Sequence, residues 1–315
     1  MYRIGVDLGG TNIVVGVVDE YYKIIAKAKR KTACPRPAGE ILADIAAAVK
    51  EAVETAGITM DDVQSVGIGT PGTVNKRMGI IEYANNLGFD KVPARDILMK
   101  YIDKPIYIEN DANCAALGEA VAGAGGNVEN FVAITLGTGV GSGIIVNGKI
   151  VNGCNDAAGE MGHSVIVVDG EPCTCGRNGC WEAYSSATAL VRQTKAAMRE
   201  NKASLMWEVV DGDIEKVNGR TAFDGMRKGD TAAKQVVDTY IRCLAAGVTN
   251  VINIFQPDVL CIGGGIGCEG EPLLAPLRAY AEKERYSIHC GKQTQICSAV
   301  LGNDAGVIGA ALLDE

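Results

Sequence analysis

Residues 4–12 read I-G-V-D-L-G-G-T-N, and residues 132–140 read V-A-I-T-L-G-T-G-V. With Asp7 set against Thr135, each is an apolar run of strand character that breaks into a glycine turn. Each is followed by a returning run, Ile13 to Asp19 in the first case and Ser142 to Val146 in the second. Strand, glycine turn and strand make a hairpin. Two hairpins heading two halves predict a duplicated α/β chain of two domains, each presenting a turn of phosphate-binding type toward a shared cleft. In the first turn the backbone N–H groups of Gly9 and Gly10 and the Thr11 hydroxyl can cradle phosphate, with Asn12 closing the turn. Asp7, at the strand end, can hold a hydrated cation. Taken alone, D-L-G-G-T-N is also compatible with a hairpin that binds nothing.

Outward from the first hairpin, Lys23 to Lys29 reads as a third strand. Ile41, Leu42, Ile45, Val49 and Val53 then recur at helical spacing, and Gly57 ends that helix. Gln64 to Gly69 is a buried strand running into Thr70-Pro71-Gly72, and Tyr83 to Phe89 a polar loop carrying Asn85 and Asn86. Asparagine in a loop is ordinarily a turn former. Pro105 to Ile108 is a strand that delivers Glu109-Asn110-Asp111-Ala112-Asn113 to a helix running through Ala124. Asp111 therefore sits at the carboxyl edge of a sheet, where open α/β sheets bind ligands. Asn110 or Asp111 can equally serve as the helix N-cap, and the two roles are compatible.

Beyond the second hairpin, residues 160–182 read E-M-G-H-S-V-I-V-V-D-G-E-P-C-T-C-G-R-N-G-C-W-E. His163, Cys173, Cys175 and Cys180 can close a tetrahedral Cys3His shell around zinc, a structural set with no open position. Gly176 and Gly179 allow the positive-φ turns that such a closure needs. The competing readings are a disulfide or plain buried thiols. The other eight of the eleven cysteines are scattered singly, as core thiols would be, whereas these three cluster beside one of the two histidines. Trp181 to Glu200 and Thr221 to Phe255 read as helical, and residues 201–219 are weakly patterned. Val259 to Ile262 is a buried strand ending in Gly263-Gly264-Gly265, where a flat ring can lie on bare backbone. Helix Leu273 to Arg285, strand Gln295 to Ala299 and a last helix Asp304 to Leu313 follow, the last packing back on the first domain.

Composition narrows the classes. With 315 residues, 47% of them hydrophobic, the chain can bury a large core, and single cores stop growing near ~250–300 residues. The net charge is −8, and the densest basic run is Lys27 to Lys31, so no footprint for nucleic acid exists. No basic, apolar and cleavable leader precedes the first strand, and no apolar run approaches the ~20 residues of a membrane span. A cytoplasmic setting is expected, and a reducing one suits the clustered thiols. The G-x-x-x-x-G-K-[ST] and H-R-D patterns are absent, no G-x-G-x-x-G can be drawn through Gly137 to Gly143, and His289 alone lies outside the cysteine loop to partner a nucleophile.

Eight motifs together resemble the ROK family of sugar kinases and repressors, and most closely its bacterial glucokinases. They are D-L-G-G-T-N (7–12), G-T-P-G (69–72), N-N-L-G-F (85–89), E-N-D-A-N (109–113), L-G-T-G-V-G (136–141), A-A-G-E-M-G-H (157–163), C-x-C-G-x-x-G-C-W-E (173–182) and G-G-G (263–265). The resemblance implies an actin-like ATPase (ribonuclease H-like) fold, with residues 1–115 plus 302–315 as the smaller domain and 116–301 as the larger one. It implies ATP-dependent phosphorylation of a hexose, glucose first, at the 6-hydroxyl. Asp111 would be the general base, and Asn86, Asn110, Glu160, His163 and Glu182 would bind sugar hydroxyls. Gly9, Gly10, Thr11, Asn12, Thr138 and Gly139 would hold phosphates, Gly264 and Gly265 would lie by the adenosine, and Asp7 would help place Mg2+. A homodimer or homotetramer is implied as well. N-acetylmannosamine, N-acetylglucosamine and fructose stay open as substrates, although Ala158-Gly159 stands where fructokinase-like members carry His-Pro, which favours an aldohexose. Phe89 replaces the tryptophan common in glucokinases. A repressor would need a DNA-binding module ahead of the first strand, and a non-catalytic sugar sensor would have no need of Asp111 and two phosphate turns.

Overall fold

The structure, a computed structural model, describes residues 1–314. Among the described residues thirteen strands form three sheets. They are β1 (Tyr2–Leu8), β2 (Asn12–Val18), β3 (Ile24–Lys31), β4 (Val63–Thr70), β5 (Thr73–Asn75), β6 (Ile80–Ala84), β7 (Phe89–Val92), β8 (Ile106–Asn110), β9 (Phe131–Leu136), β10 (Val140–Val146), β11 (Lys149–Ile150), β12 (Val259–Gly263) and β13 (Gln295–Ser298). The first sheet has the order β3-β2-β1-β4-β8, antiparallel through β3, β2 and β1 and parallel from β1 through β4 to β8. The second has the order β11-β10-β9-β12-β13. Each hairpin occupies the corresponding place in its own sheet, and each sheet adds two further strands on the same side of its hairpin. That is the duplication expected from the glycine turns.

The chain divides into two compact units, residues 1–133, 143–159 and 300–315 in one and 134–142 and 160–299 in the other. In the first, helix Ala38–Thr55 buries Ile41, Leu42, Ile45, Val49 and Val53 together with Ile4, Val6, Ile13 and Val15 of the sheet. Helix Ala305–Ala311 packs on β1 and β4. Its approach needs bare strand backbone, since a Cβ added at Gly67 would lie 1.7 Å from the Ala310 carbonyl oxygen. In the second unit, the long helix Thr231–Phe255 buries Val237, Tyr240, Ile241, Leu244, Val248 and Ile252.

Three segments differ from expectation. Tyr83 to Phe89, read as a polar loop, holds the 3-10 turn Asn85–Leu87, but its two ends lie in β6 and β7 of a small antiparallel sheet, β5-β6-β7, that was not expected. The helical stretch from Trp181 breaks at Ser186, which caps helix Ala187–Glu200 by accepting from Ala189 N at 3.0 Å. The stretch from Thr221 breaks at Asp230, which caps the long helix in the same way, from Ala233 N at 2.8 Å. Both breaks are the work of capping side chains that compete with helical continuation. Among the described residues no helix is long and apolar enough to cross a membrane.

Candidate active site

The first unit gathers one group of the expected residues. Asp7 is the penultimate residue of β1, and the turn after it is pinned from three directions. Gly9 N donates to Asn12 O (2.9 Å), Thr32 Oγ1 donates to Gly9 O (2.6 Å) and Thr32 N donates to Thr11 O (3.0 Å). A turn held this firmly is preorganised for an anion. Asn12 Oδ1 is buried with no hydrogen-bond partner. Asn86, in the short 3-10 turn Asn85–Leu87, borders the same loop: a Cβ on Gly10 would sit 3.4 Å from Asn86 Cβ.

At the end of β8, Asn110 is the N-cap of helix Asp111–Ala122. Its Oδ1 accepts from Ala112 N (2.9 Å) and Asn113 N (3.3 Å), and its Nδ2 donates to Gly72 O (3.0 Å). Asp111 Oδ1 accepts from Ala112 N (2.8 Å). Burial raises the Asp111 carboxyl above its ordinary value, opposed by that backbone bond. Burial, and then the charge of Asp111, pushes Asp7 up to about 6. These are two neighbouring carboxyl groups whose charges are costly until a cation or a proton arrives. Glu109, quoted in the sequence only as part of a motif, is wholly buried directly ahead of them. Its Oε1 accepts from Asn110 N (2.8 Å) and Asn113 Nδ2 (3.1 Å).

The second unit gathers the rest. The turn at Thr138-Gly139 is held by the segment after the cysteine loop: Ala187 N donates to Gly137 O (2.8 Å), Thr188 Oγ1 to Thr138 O (2.8 Å) and Val140 N to Glu182 Oε2 (3.0 Å). A cavity of about 250 Å3 opens beside it, lined by Thr138, Gly139, Thr174, Glu182, Thr188 and Arg192 among others. Gly264 and Gly265 begin a one-turn helix, and Gly264 (φ +79°) lies so close to Leu136 that a Cβ would fall 2.5 Å from its carbonyl oxygen. Glu160 is exposed, and its carbonyl accepts from His163 N (3.1 Å).

His163, Cys173, Cys175 and Cys180 converge as the spacing predicted. All four donor atoms lie within 4.8 Å of one another, with Cys173 Sγ 3.6 Å from His163 Nδ1 and Cys175 Sγ 3.6 Å from Cys180 Sγ. The two 3.6 Å separations match edges of a tetrahedron around one ion with ~2.0–2.3 Å ligand bonds. Among the described residues no disulfide forms. Burial and the neighbouring sulfurs push Cys180 up to about 12, while the backbone N–H of Arg177 lowers Cys175. Thiols crowded in this way ionise together only around a cation. Gly179 (φ +79°) is required at the closing turn, because a Cβ there would meet Val167 O at 1.7 Å. Trp181, fully buried, packs against bare Gly247 of the long helix and fixes Cys180 and Glu182 on either side of it. Glu182 Oε1 in turn accepts from Thr174 Oγ1 at 3.4 Å.

Comparison with known proteins places the whole chain. Residues 3–315 match the ROK family. A glucokinase of Thermotoga maritima is 36% identical over 309 residues, 98% of this chain and 95% of that one. The crystal structure of a ROK family glucokinase from Streptomyces griseus in complex with glucose and AMPPNP superposes with a TM-score of 0.81 at 36% identity, covering 99% of both chains. A ROK hexokinase from Thermus thermophilus gives a TM-score of 0.82 at 30% identity, covering 99% of this chain and 98% of that one. With likeness covering nearly the whole chain, the chain belongs to the ROK family and has its actin-like ATPase fold.

Proposed function

We propose that this chain is an ATP-dependent hexose kinase that converts glucose to glucose 6-phosphate, with Asp111 as the general base. The observation that carries the reading is the Asp111 carboxylate itself. It sits at a strand–helix junction already capped by Asn110, and burial raises its proton affinity. A base needs a pKa lifted toward the working pH. As the sugar O6 bonds to the γ-phosphorus, the bond to the β–γ bridging oxygen breaks, ADP departs, and Asp111 takes the hydroxyl proton.

Phosphoryl transfer asks mainly for positioning and charge neutralisation. The amides of Gly10, Thr138 and Gly139, with the Thr11 hydroxyl, suit the phosphates, whereas Gly9 N is committed to Asn12 O and serves the turn instead, and Gly264-Gly265 offers bare backbone to the adenosine. Asp7 and the unpartnered Asn12 Oδ1 suit Mg2+ and its water. Asn86, Asn110, Glu160, His163 and Glu182 are assigned to the sugar hydroxyls. The thiolate-rich donor set suits zinc, which when bound would supply a rigid tie fixing the loop. His163 would use Nδ1 for it and keep Nε2 for the sugar. Eleven free cysteines suit a reducing setting, and we read the chain as a cytoplasmic homodimer or homotetramer.

The test is ADP release with Mg-ATP across glucose, mannose, fructose, N-acetylglucosamine and N-acetylmannosamine, with the Asp111→Asn variant alongside. Glucose should lead, and Asp111→Asn should lose about 10²–10⁴-fold in kcat while still binding sugar and nucleotide. Silence with every sugar would overturn the kinase reading in favour of a sugar sensor. Full turnover by Asp111→Asn would remove it as the base.

A further inference from the structure

Lys76 lies in the turn between β5 and β6, and each of its polar groups is committed. Its Nζ is 2.5 Å from Glu109 Oε2, its backbone N donates to Asp156 Oδ2 (3.2 Å) and its carbonyl accepts from Arg95 Nη2 (2.7 Å). Asn152 completes the arrangement, with its amide oriented so that Nδ2 donates to Glu109 Oε2 (3.1 Å) and Oδ1 accepts from Lys76 Nζ (3.1 Å). Glu109 is 0% exposed and Lys76 33%. The carboxylate thus has two sides. Oε1 holds the backbone of Asn110 and the side chain of Asn113, and Oε2 is held by Lys76 and Asn152.

We propose that Lys76 is a positioning residue for the transfer step, acting through Glu109 to fix the Asn110-Asp111 junction and to tie it to segment 152–156. The inference rests on the reading of Asp111 as the base. The physical reason is that a buried carboxylate stays ionised only when paired. Without the ammonium, Glu109 loses the partner that holds its Oε2 and turns away, and its charge-assisted bonds to Asn110 and Asn113 weaken. The junction then loses the contact that sets the first residue of the Asp111 helix. A displacement of about 1 Å at a reacting group costs roughly 10²-fold in rate. Asp156 loses its Lys76 partner only if the turn itself moves, so the substitution reads out the ammonium rather than the loop.

The variants are Lys76→Met, Lys76→Arg and Asn152→Ala, measured for kcat, sugar KM and affinity for a non-hydrolysable ATP analogue. Lys76→Met should lower kcat about 10–100-fold with nucleotide affinity within about twofold of the parent. Lys76→Arg, which can still pair with Glu109, should recover most of that loss. Should Lys76→Met not fold, Asn152→Ala must show the same split at smaller size. Two results overturn the proposal: Lys76→Met turning over within about twofold of the parent, or kcat intact in the folded fraction while every affinity and the melting temperature fall together, as a purely structural role requires. An inert parent, or a fully active Asp111→Asn, would sink the base assignment beneath it. An active parent, a dead Asp111→Asn and an indifferent Lys76→Met would sink this inference alone.

Discussion

Asp111 differs from an ordinary helix-capping carboxylate because Asn110 already supplies the cap, so burying Asp111 gains the helix little. Asp7 makes the same point on stability. Its carboxyl titrates near 6 in the folded chain against an ordinary 3.8, so the fold favours the protonated form. That preference contributes in full below about pH 3.8 and is lost as the pH rises through 6. Above this the ionised group costs up to about 3 kcal/mol. Asp7→Asn should therefore melt higher than the parent at pH 7.5 and level with it near pH 4, as followed by calorimetry in the absence of ligands. An equal gain at both values would mean that charge is not the cause. Asp7 and Asp111 were legible in the sequence because each stands where a strand meets a turn or a helix. Lys76, Glu109 and Asn152 were not, since their meeting depends on three segments far apart in the chain, and nothing local marks a lysine in a turn as the partner of a buried glutamate.

At the scale of elements, the cysteine loop was readable because its donors are close in sequence and their glycines fall at the closing turns. The small sheet was not. Its strands span 3, 5 and 4 residues, too short for alternation to stand out from a polar loop, and what defines them is pairing with each other. The helix breaks at Ser186 and Asp230 were missed because capping side chains inside a helical pattern look like ordinary polar face residues until the backbone turns. Between the 3-10 turn Met161–His163 and the short helix Glu182–Ser185 the loop has only isolated bridges such as Val165 with Cys180, so a metal tie is what would hold His163 to the three cysteines. If the four donors hold zinc as proposed, Cys175→Ala should abolish zinc uptake, lower the melting temperature and weaken glucose binding at least tenfold, about 1.4 kcal/mol, with nucleotide affinity unchanged. Metal analysis and calorimetric titration read all of these, and a variant that keeps its glucose affinity after losing the metal would separate the sugar site from the zinc.

At the scale of the molecule, two sheets of the same strand order carry two glycine turns, and the chain's acidity, with a pI near 5.0, adds no attraction for nucleic acid. The fold was legible because duplication repeats its signature; substrate choice was not, because it lies in the packing around a few hydroxyl-binding groups rather than in any motif. Binding to the folded state alone raises stability by RT ln(1 + [L]/Kd), about 2.7 kcal/mol at a hundredfold excess over Kd. For a chain of this size that is a rise of roughly 5 °C in melting temperature. Glucose should therefore move the melting curve by several degrees without nucleotide, and mannose, fructose and the two N-acetyl sugars by less. The order of these shifts should follow the order of ADP release, because in a kinase the hydroxyls that bind the sugar also align O6 for transfer. Matching orders would tie recognition to turnover. A large shift with glucose and no ADP from any sugar would show that the sugar site is built and the transfer machinery idle, which is the behaviour of a sensor.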